Sequence, residues 1–309
     1  MSTFTVTLFG KFNIMRSGQR MAAIRSRKVQ ELLSYLLLYR EHPQSRESLS
    51  ELLWGNQSPA KSKKYLRQTL WLLQSALKDE GGLGSPELLV DNEWIQINPS
   101  IEFRVDAAKF EQIFNLLNGK AIRELNLADF KLLQKAVHLY KGDLLEGWYQ
   151  DWCMTERERF EIMYLMLLDK LVQFCEAHRN YETGLTYAAE ILRHDQAYER
   201  AHRQMMRLYF LIGDRTQALR QYKRCVVALR NELDIDPSEE TMQLYEKIRS
   251  DRFVSPLTDE MPPVESIQPG QSLLETLQRL VNFSNELNQI QVRVQKEITD
   301  IRHTFPANQ

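Results

Sequence analysis

Cysteine is scarce in this sequence, and its three copies follow no disulfide or metal-binding pattern. Cys153, Cys175 and Cys225 are odd in number and are never spaced as Cys-x-x-Cys. This argues against a disulfide framework and against a zinc knuckle. We expect the three side chains to pack inside helices, where a free cysteine behaves as a small apolar residue.

Long hydrophobic runs are also missing. No apolar run approaches the roughly 18 residues that a membrane-spanning helix needs, and the first residues lack the basic region and apolar core of a signal peptide. The hydrophobic share of 43% and the charged share of 26% match ordinary globular proteins in water. We therefore predict a cytoplasmic protein, associated with the nucleoid if it binds DNA.

Sequence motifs of catalysis are absent as well. The chain has no Gly-x-x-x-x-Gly-Lys-Ser/Thr phosphate loop, no His-Glu-x-x-His and no Gly-x-Ser-x-Gly. Its six histidines are scattered singly, and we expect His178 and His202, both on predicted helices, to be packing residues. The sequence thus predicts no enzyme, no cofactor and no metal site.

What the chain does have is an uneven distribution of charge. The whole chain has a formal net charge of -1, yet residues 1–78 hold thirteen Lys and Arg against four Glu, a balance of +9. Such a block attracts a polyanion, because each neutralised phosphate releases condensed counterions. A basic face that merely meets solvent is the other interpretation of the charge alone.

The first hundred residues show the element order of a winged helix. Apolar residues alternate from Phe4 to Ile14 and predict a small antiparallel sheet. A helix follows with its apolar stripe at Val29, Leu32, Leu33, Leu36 and Leu37, and a second begins near Ser45 and buries Leu49, Leu52 and Leu53. Ser58 as N-cap and Pro59 as first residue predict a third helix to Asp79, and residues 88–98 predict a hairpin.

From Phe103 onward the periodicity is helical, and a repeat emerges. Leu185 and Leu219 lie 34 residues apart, each behind a small residue, Gly184 or Ala218. This is the spacing of tetratricopeptide helix pairs. Two such units alone are marginal, so we expect the helices between Phe103 and Tyr149 to cap the stack.

A proline-containing stretch separates this region from a last helix. We predict a linker at 254–271 and a self-association helix at 272–305, whose apolar residues repeat every seven positions. Its oligomerisation residues are Leu273, Leu277, Leu280, Leu287, Val294, Ile298 and Ile301. A coiled coil with a second copy is the preferred interpretation, and folding back onto the repeat domain is the alternative.

The third helix carries the candidate DNA contacts. On a helical wheel Leu66, Leu70, Leu73 and Leu77 form the core side, which turns a polar side outward. The residues predicted to contact bases are Lys63, Lys64, Arg67, Gln68 and Trp71, since Gln, Lys and Arg can pair with base edges in the major groove. The predicted phosphate contacts are Lys61 and Ser62 on this helix, with Arg25, Arg27 and Lys28 at the start of the first helix.

Two tryptophans of this region have open roles. Trp71 lies opposite the core stripe and so meets DNA, a neighbouring domain or a second subunit. In the hairpin, or wing, Asn92 and Trp94 could reach a minor groove, and packing on the core is the alternative for Trp94.

Several motifs resemble a known family. The first domain resembles the OmpR-like winged helix of SARP-type bacterial activators in Thr5-Val6-Thr7-Leu8-Phe9-Gly10, in the helix from Ser45 to Trp54 and in Tyr65-Leu66-Arg67-Gln68-Thr69-Leu70. The second is similar to the bacterial transcriptional activator domain that follows in that family, in segments 140–145, 199–202, 213–219 and 232–238. The resemblance spans about residues 3–249. Gln196 and Asp234 depart from it, since a proline and a glycine usually stand there, and the wing lacks its usual glycine.

By this resemblance the protein is a regulator that binds direct repeats in promoters and recruits RNA polymerase, with the loop from Gly55 to Ser58 as a candidate polymerase contact. The predicted fold is mainly α: a winged helix-turn-helix (α+β) at 1–101, an all-α tetratricopeptide-like domain at 102–253 and a C-terminal coiled-coil helix. The rival function is a repeat-protein adaptor that binds a partner protein without recognising DNA. An adaptor would not need the basic face of the third helix.

Overall fold

The structure, a computed structural model, describes residues 3–78 and 86–250. Its first element is the predicted antiparallel sheet, with β1 at Phe4–Thr7, β2 at Asn13–Arg16 and β3 at Gln19–Arg20. Phe4 and Val6 alternate with half-buried threonines along β1, which is the period of two that predicted the strand. Ser17 and Gly18 both take positive φ in the turn between β2 and β3.

The helices of the winged helix follow in the predicted order. They are α1 at Arg27–Leu38, α2 at Arg46–Trp54 and α3 at Pro59–Leu77. Short strands β4 at Gln44–Ser45, β5 at Leu88–Val90 and β6 at Trp94–Ile97 form a second antiparallel sheet, in which β5 and β6 are the wing. The predicted winged-helix class is confirmed.

Three details of this region differ from the sequence prediction. Leu52 is 39% exposed rather than buried, while Leu49 and Leu53 form the buried side of α2. Helix α3 ends at Leu77, before Asp79. Its N-cap Ser58 makes no side-chain cap bond, whereas the Ser45 hydroxyl accepts the backbone N–H of Glu47 and Ser48 at the start of α2.

The prediction of helix from Phe103 onward is wrong at its first residues. Phe103–Val105 is strand β7, parallel to β1, with Phe4 opposite Phe103 and their rings stacked 4.6 Å apart. Phe103 and Val105 are buried around the exposed Arg104. This alternation is too short to stand out from the helix that begins at Asp106.

The rest of the described chain is helical, as predicted. Its helices are α4 at Asp106–Leu117, α5 at Leu127–Leu139, α6 at Asp151–Ala177, α7 at Tyr181–His194, α8 at Glu199–Ile212, α9 at Arg215–Leu233 and α10 at Glu239–Arg249. Leu185 and Leu219 are each the fifth residue of their helices, α7 and α9. A Cβ at Gly184 would lie 3.2 Å from the Cys175 Cβ, so the small residue allows α6 and α7 to approach closely.

The winged helix and the helical region share one hydrophobic core. Phe9, just after β1, packs its ring against Tyr140, Phe110 and Phe160 at centroid distances of 4.8, 5.4 and 5.4 Å. Next to it, Leu145 N–H donates to the Leu8 carbonyl (2.7 Å) and Gly10 N–H to the Asp143 carbonyl (2.8 Å). The predicted boundary near residue 101 therefore lies within a continuous packed unit.

The three cysteines and His202 are buried packing residues. Cys153, Cys175 and Cys225 are free and buried, as expected, and burial raises their thiol pKa to about 11, 11 and 12. The ring of His202 is buried, with Nε2 2.9 Å from the Gln196 carbonyl and Nδ1 2.8 Å from the Gln221 amide nitrogen. Desolvation lowers its pKa, which agrees with a neutral packing residue.

Some predictions fall outside the described part of the chain. The linker (254–271) and the heptad segment (272–305) both lie there, as does Asp79. Within residues 3–78 and 86–250, no helix combines the length and the apolar character that a membrane span requires. The same residues hold no cluster of three or more His, Cys, Asp or Glu side chains suited to a metal ion.

Candidate nucleic-acid interface

Helix α3 is held by its leucine stripe and turns its polar side outward. Leu66, Leu70, Leu73 and Leu77 are all buried, as the 3.6-residue period requires. The opposite side is exposed along the length of the helix, and we call its predicted base-contacting residues the α3 outer face: Lys63, Lys64, Arg67, Gln68 and Trp71. The structure thus exposes all five. Lys61, a predicted phosphate contact one turn earlier, is exposed too.

The start of α2 is tied to the wing. Strand β4 pairs with β6, so that Ser45, the N-cap of α2, lies opposite Trp94. The next residue, Arg46, donates its backbone N–H to the Glu93 carbonyl (2.8 Å) and its guanidinium to the Asp91 carbonyl (3.1 Å). These bonds fix the wing relative to the helix-turn-helix.

Asp91 supplies the turn of the wing, which lacks the glycine usual in the winged helices that the sequence resembles. Its carboxylate accepts the backbone N–H of Glu93 at 2.8 Å and of Trp94 at 2.7 Å. An aspartate that bonds its own backbone two and three residues on is a common substitute for a glycine turn. The same two bonds hold the pKa of Asp91 below its ordinary value.

A groove of about 690 Å³ lies between α3, the start of α2 and the wing. We call it the winged-helix groove, and its polar lining residues are Ser45, Arg46, Glu47, Lys63, Arg67, Asn92 and Glu93, with Trp94 beside them. It brings together two members of the α3 outer face and both predicted wing residues. Lys63 and Asn92, which are 29 positions apart in the chain, therefore line the same groove.

The charges of this groove are mixed. The Lys63 ammonium lies 3.1 Å from the Glu47 carboxylate, and both side chains are largely exposed. An exposed pair of this kind contributes little to stability, so Lys63 can exchange Glu47 for another anion at small cost. Arg67 has no hydrogen-bonding or ionic partner among the described residues.

Three of the predicted phosphate contacts are bonded to other parts of the fold, and burial rules out the first of them, Ser62, as a phosphate contact. Ser62 is buried, with its hydroxyl 2.9 Å from the Trp54 carbonyl and 3.2 Å from the Ser58 carbonyl. The Arg27 guanidinium donates to the Gly147 carbonyl (2.7 Å) and lies over the Trp148 ring.

Lys28 is the third of these. Its ammonium donates to the Leu53 carbonyl (2.7 Å) and pairs with the buried Glu31 (2.8 Å), which also accepts from the Trp152 indole (3.3 Å). Arg27 and Lys28 therefore join the winged helix to the helical domain. Arg25 remains exposed, with its Nε bonded to the nearby Ala22 carbonyl.

The two tryptophans with open roles are both exposed. Trp71 is 65% exposed and Trp94 is 46% exposed. Packing of Trp94 on the core is therefore wrong, and so is burial of Trp71 between the domains. Both rings remain available to a ligand or a second subunit.

Arg46 is a candidate that the sequence reasoning missed. It lines the winged-helix groove from the start of α2, where a helix N-terminus also favours an anion. The signal that could have found it is its position directly after the N-cap Ser45. A cation at a helix N-terminus gains no favourable interaction with the helix dipole. Its presence there therefore suggests a role other than helix stabilisation.

Comparison with known proteins finds similarity over most of this chain. Residues 105–249 match the family model described as the bacterial transcriptional activator domain. The chain is 26% identical over 247 residues to the regulatory protein AfsR of Streptomyces coelicolor, in an alignment that covers 78% of this chain. Both similarities agree with the resemblance to SARP-type transcriptional regulators that the motifs indicate.

The match is partial in length. The chain spans about a quarter, 24%, of the length of AfsR. Among solved structures it resembles Mycobacterium tuberculosis EmbR in complex with a low-affinity phosphopeptide, with a TM-score of 0.68 at 15% identity, covering 82% of this chain and 67% of the EmbR chain. That likeness supports the fold: a winged helix followed by a helical domain.

Proposed function

We propose that this transcriptional regulator binds DNA sequence-specifically through α3 and the wing. The observation that supports it best is the exposure of Lys63, Lys64, Arg67, Gln68 and Trp71 on one helix beside the winged-helix groove. Lys64 and Gln68 are the candidates for base edges, because they project from the middle of the face opposite the core. Asn92 and Trp94 of the wing would follow the adjoining minor groove.

The phosphate contacts of this proposal come from Lys61, Arg25 and Arg46. Lys61 and Arg25 are exposed cations outside the base-contacting set, and Arg46 lies at a helix start on the winged-helix groove. The excess of thirteen basic over four acidic residues in 1–78 supplies the general attraction to DNA. A regulator bound in this way would be found in the cytoplasm with the nucleoid.

We further propose that the bound protein activates transcription at promoter repeats by recruiting RNA polymerase. The loop of residues 55–58 is exposed and borders a cleft whose other side is Gln150, Asp151 and Trp152 of the helical domain. A polymerase subunit that contacted this loop would therefore meet both domains. Transcription in vitro from a promoter containing a selected site, with and without the protein, tests this step.

Binding of the full chain to duplex DNA across a salt series tests the proposal as a whole. If several phosphates are neutralised, affinity falls by roughly one to several decades between about 50 and 200 mM salt. Fluorescence anisotropy of labelled duplexes measures it, and sites enriched from a random library provide the specific target. No binding at low salt, or a flat salt response, would contradict the proposal and favour an adaptor.

A further inference from the structure

A second cleft shares no lining residue with the winged-helix groove. It has a volume of about 590 Å³ and lies beside strands β1 and β7, where the winged helix meets the helical domain. We call it the junction cleft. Thr5, Thr7 and Arg40 contribute to it from the winged helix, and Lys109 and Lys141 from the helical domain.

The lining of the junction cleft is mostly apolar. Its walls include Val6, Phe103, Val105, Ala108 and Leu139. A volume of this size, an apolar wall and a position between domains are the features that small-molecule sites share. A ligand with an apolar body would therefore be removed from water on several sides.

The acidic groups of the junction cleft are already satisfied by the fold. The Asp106 carboxylate accepts the backbone N–H of Leu8 (2.8 Å) and Phe9 (3.1 Å). Glu102 pairs with Arg104 at 2.7 Å and accepts the Thr3 hydroxyl at 3.1 Å. Neither acid is left to bind a cation.

Three cations of the cleft have weak partners or none. The Arg40 guanidinium lies 3.4 Å from the Phe103 carbonyl and 3.6 Å from the exposed Glu41 carboxylate. Lys109 bonds only the neutral amide of Gln112, at 2.9 Å. Lys141 has no hydrogen-bonding or ionic partner among the described residues. The unneutralised charge around the apolar walls is therefore positive.

We propose that the junction cleft binds a small organic anion, with its apolar body against Val6, Ala108 and Leu139 and its anionic group near Arg40, Lys109 and Lys141. The cations provide the attraction for a carboxylate, sulfonate or similar group. Such a ligand would contact both domains at once. The proposed ligand site does not use the residues proposed to contact DNA, so the two proposals are tested independently.

The experiment uses two probes that differ only in charge. 8-Anilinonaphthalene-1-sulfonate carries the anionic group, and N-phenyl-1-naphthylamine is its neutral counterpart. Titration of the full chain is followed by probe fluorescence. We expect saturable binding of the sulfonate with one site per chain, at least about tenfold tighter than that of the neutral probe.

Variants locate the binding. Lys109→Glu with Lys141→Glu should weaken sulfonate binding by about tenfold or more and remove the difference between the probes. The matched control, Lys131→Glu with Lys135→Glu, makes the same charge change on exposed residues of α5 outside the cleft and should leave binding unchanged. Ala108→Phe should fill the cleft and weaken both probes.

Circular dichroism establishes that each variant is folded, and if Ala108→Phe does not fold, the lysine variants decide. Equal binding of the two probes to the unaltered chain would overturn the proposal. Sulfonate binding that is the same in the Lys109/Lys141 variant and its control would overturn it as well.

Discussion

At the scale of single residues, a side chain's function here depends on what lies within about 3 Å of it. Lys28 and Lys64 are both lysines of the basic N-terminal block, yet Lys28 is bonded to Leu53 and Glu31, whereas Lys64 is exposed. Two of the three N–H donors of the Lys28 ammonium are already used within the fold, so Lys28 has less to offer a phosphate than Lys64 has. The distinction changes which substitutions should affect DNA binding.

Base and phosphate contacts should respond differently to substitution. Lys64→Ala and Gln68→Ala should reduce the discrimination between a selected site and random DNA by about 1 to 3 kcal/mol each, because a base contact is lost. Lys61→Ala and Arg25→Ala should weaken both kinds of DNA alike. Competition binding at one salt concentration measures the ratio, and Lys131→Ala is a control on α5. Identical effects of both pairs on the two DNAs would refute the assignment.

Asp234 offers a test of backbone strain at one residue. It closes α9 with φ 55° and ψ 37°, the left-handed conformation that glycine adopts most readily. Asp234→Gly should raise the free energy of unfolding by about 0.5 to 1 kcal/mol, because glycine has no Cβ to strain and the acid no longer faces the helix C-terminus.

The control for this prediction is Asp234→Ala. Alanine removes the carboxylate but keeps the Cβ, so it should not stabilise the chain if the backbone is the cause. Urea unfolding followed by circular dichroism compares the three proteins. Equal stabilisation by alanine and glycine would assign the effect to charge instead.

At the scale of elements, strand β7 and the residue after it join two regions that the sequence presents as separate domains. β7 extends the N-terminal sheet in parallel with β1. Asp106, the first residue of α4, then accepts the backbone N–H of Leu8 and Phe9, both from buried residues. The winged helix and the helical region are therefore connected by hydrogen bonds to the main chain as well as by packing.

Asp106→Ala should destabilise both regions together. It leaves two backbone N–H groups without their acceptor, which costs about 2 to 4 kcal/mol. Hydrogen exchange of peptides from α3 and from α9, measured across a urea series, reports the two regions separately. Asp143→Ala, an exposed acid of the adjoining loop, should stay within about 0.5 kcal/mol of the unaltered chain. Loss of protection in α3 alone would show that the regions unfold independently.

At the scale of the whole molecule, the winged helix and the helical domain pack together within residues 3–250. The Arg27 guanidinium bonds the Gly147 carbonyl, Glu31 contacts both Lys28 and Trp152, and the two regions share one hydrophobic core. Anything that binds the helical domain would thus be held in a defined position relative to the winged helix.

Self-association through residues 272–305 remains a prediction. The heptad line of Leu273, Leu280, Leu287, Val294 and Ile301 leaves an apolar seam that one helix cannot cover alone. Two chains joined in this way would raise the effective concentration of the second winged helix at a neighbouring repeat. Light scattering should find the full chain oligomeric at roughly tens of micromolar and a chain ending at Val254 monomeric. Monomers in both cases would favour folding back on the repeat domain.

The sequence by itself determined the order of the helices, the buried face of α3 and the resemblance to SARP-type regulators. Leu66, Leu70, Leu73 and Leu77 identify the core side of α3, and hence the outward side of Lys64 and Gln68, because helical periodicity is a local property. Ser45, a good N-cap residue, likewise predicts the start of α2. The 34-residue offset of Leu185 and Leu219 could be seen for the same reason.

Only the tertiary structure decided what depends on distant partners. Local periodicity cannot connect residues that are distant in the sequence. Examples are the pairing of Phe103 with Phe4, the hydrogen bond from Arg27 to the Gly147 carbonyl and the burial of Ser62 against Trp54. Long-range packing decides which carbonyls and side chains lie next to a given lysine, and so whether that lysine has a bonding partner. It also decides whether apolar residues and cations line the same cleft. That is a property of the folded chain, because hydrogen bonds and ion pairs act only over a few ångströms.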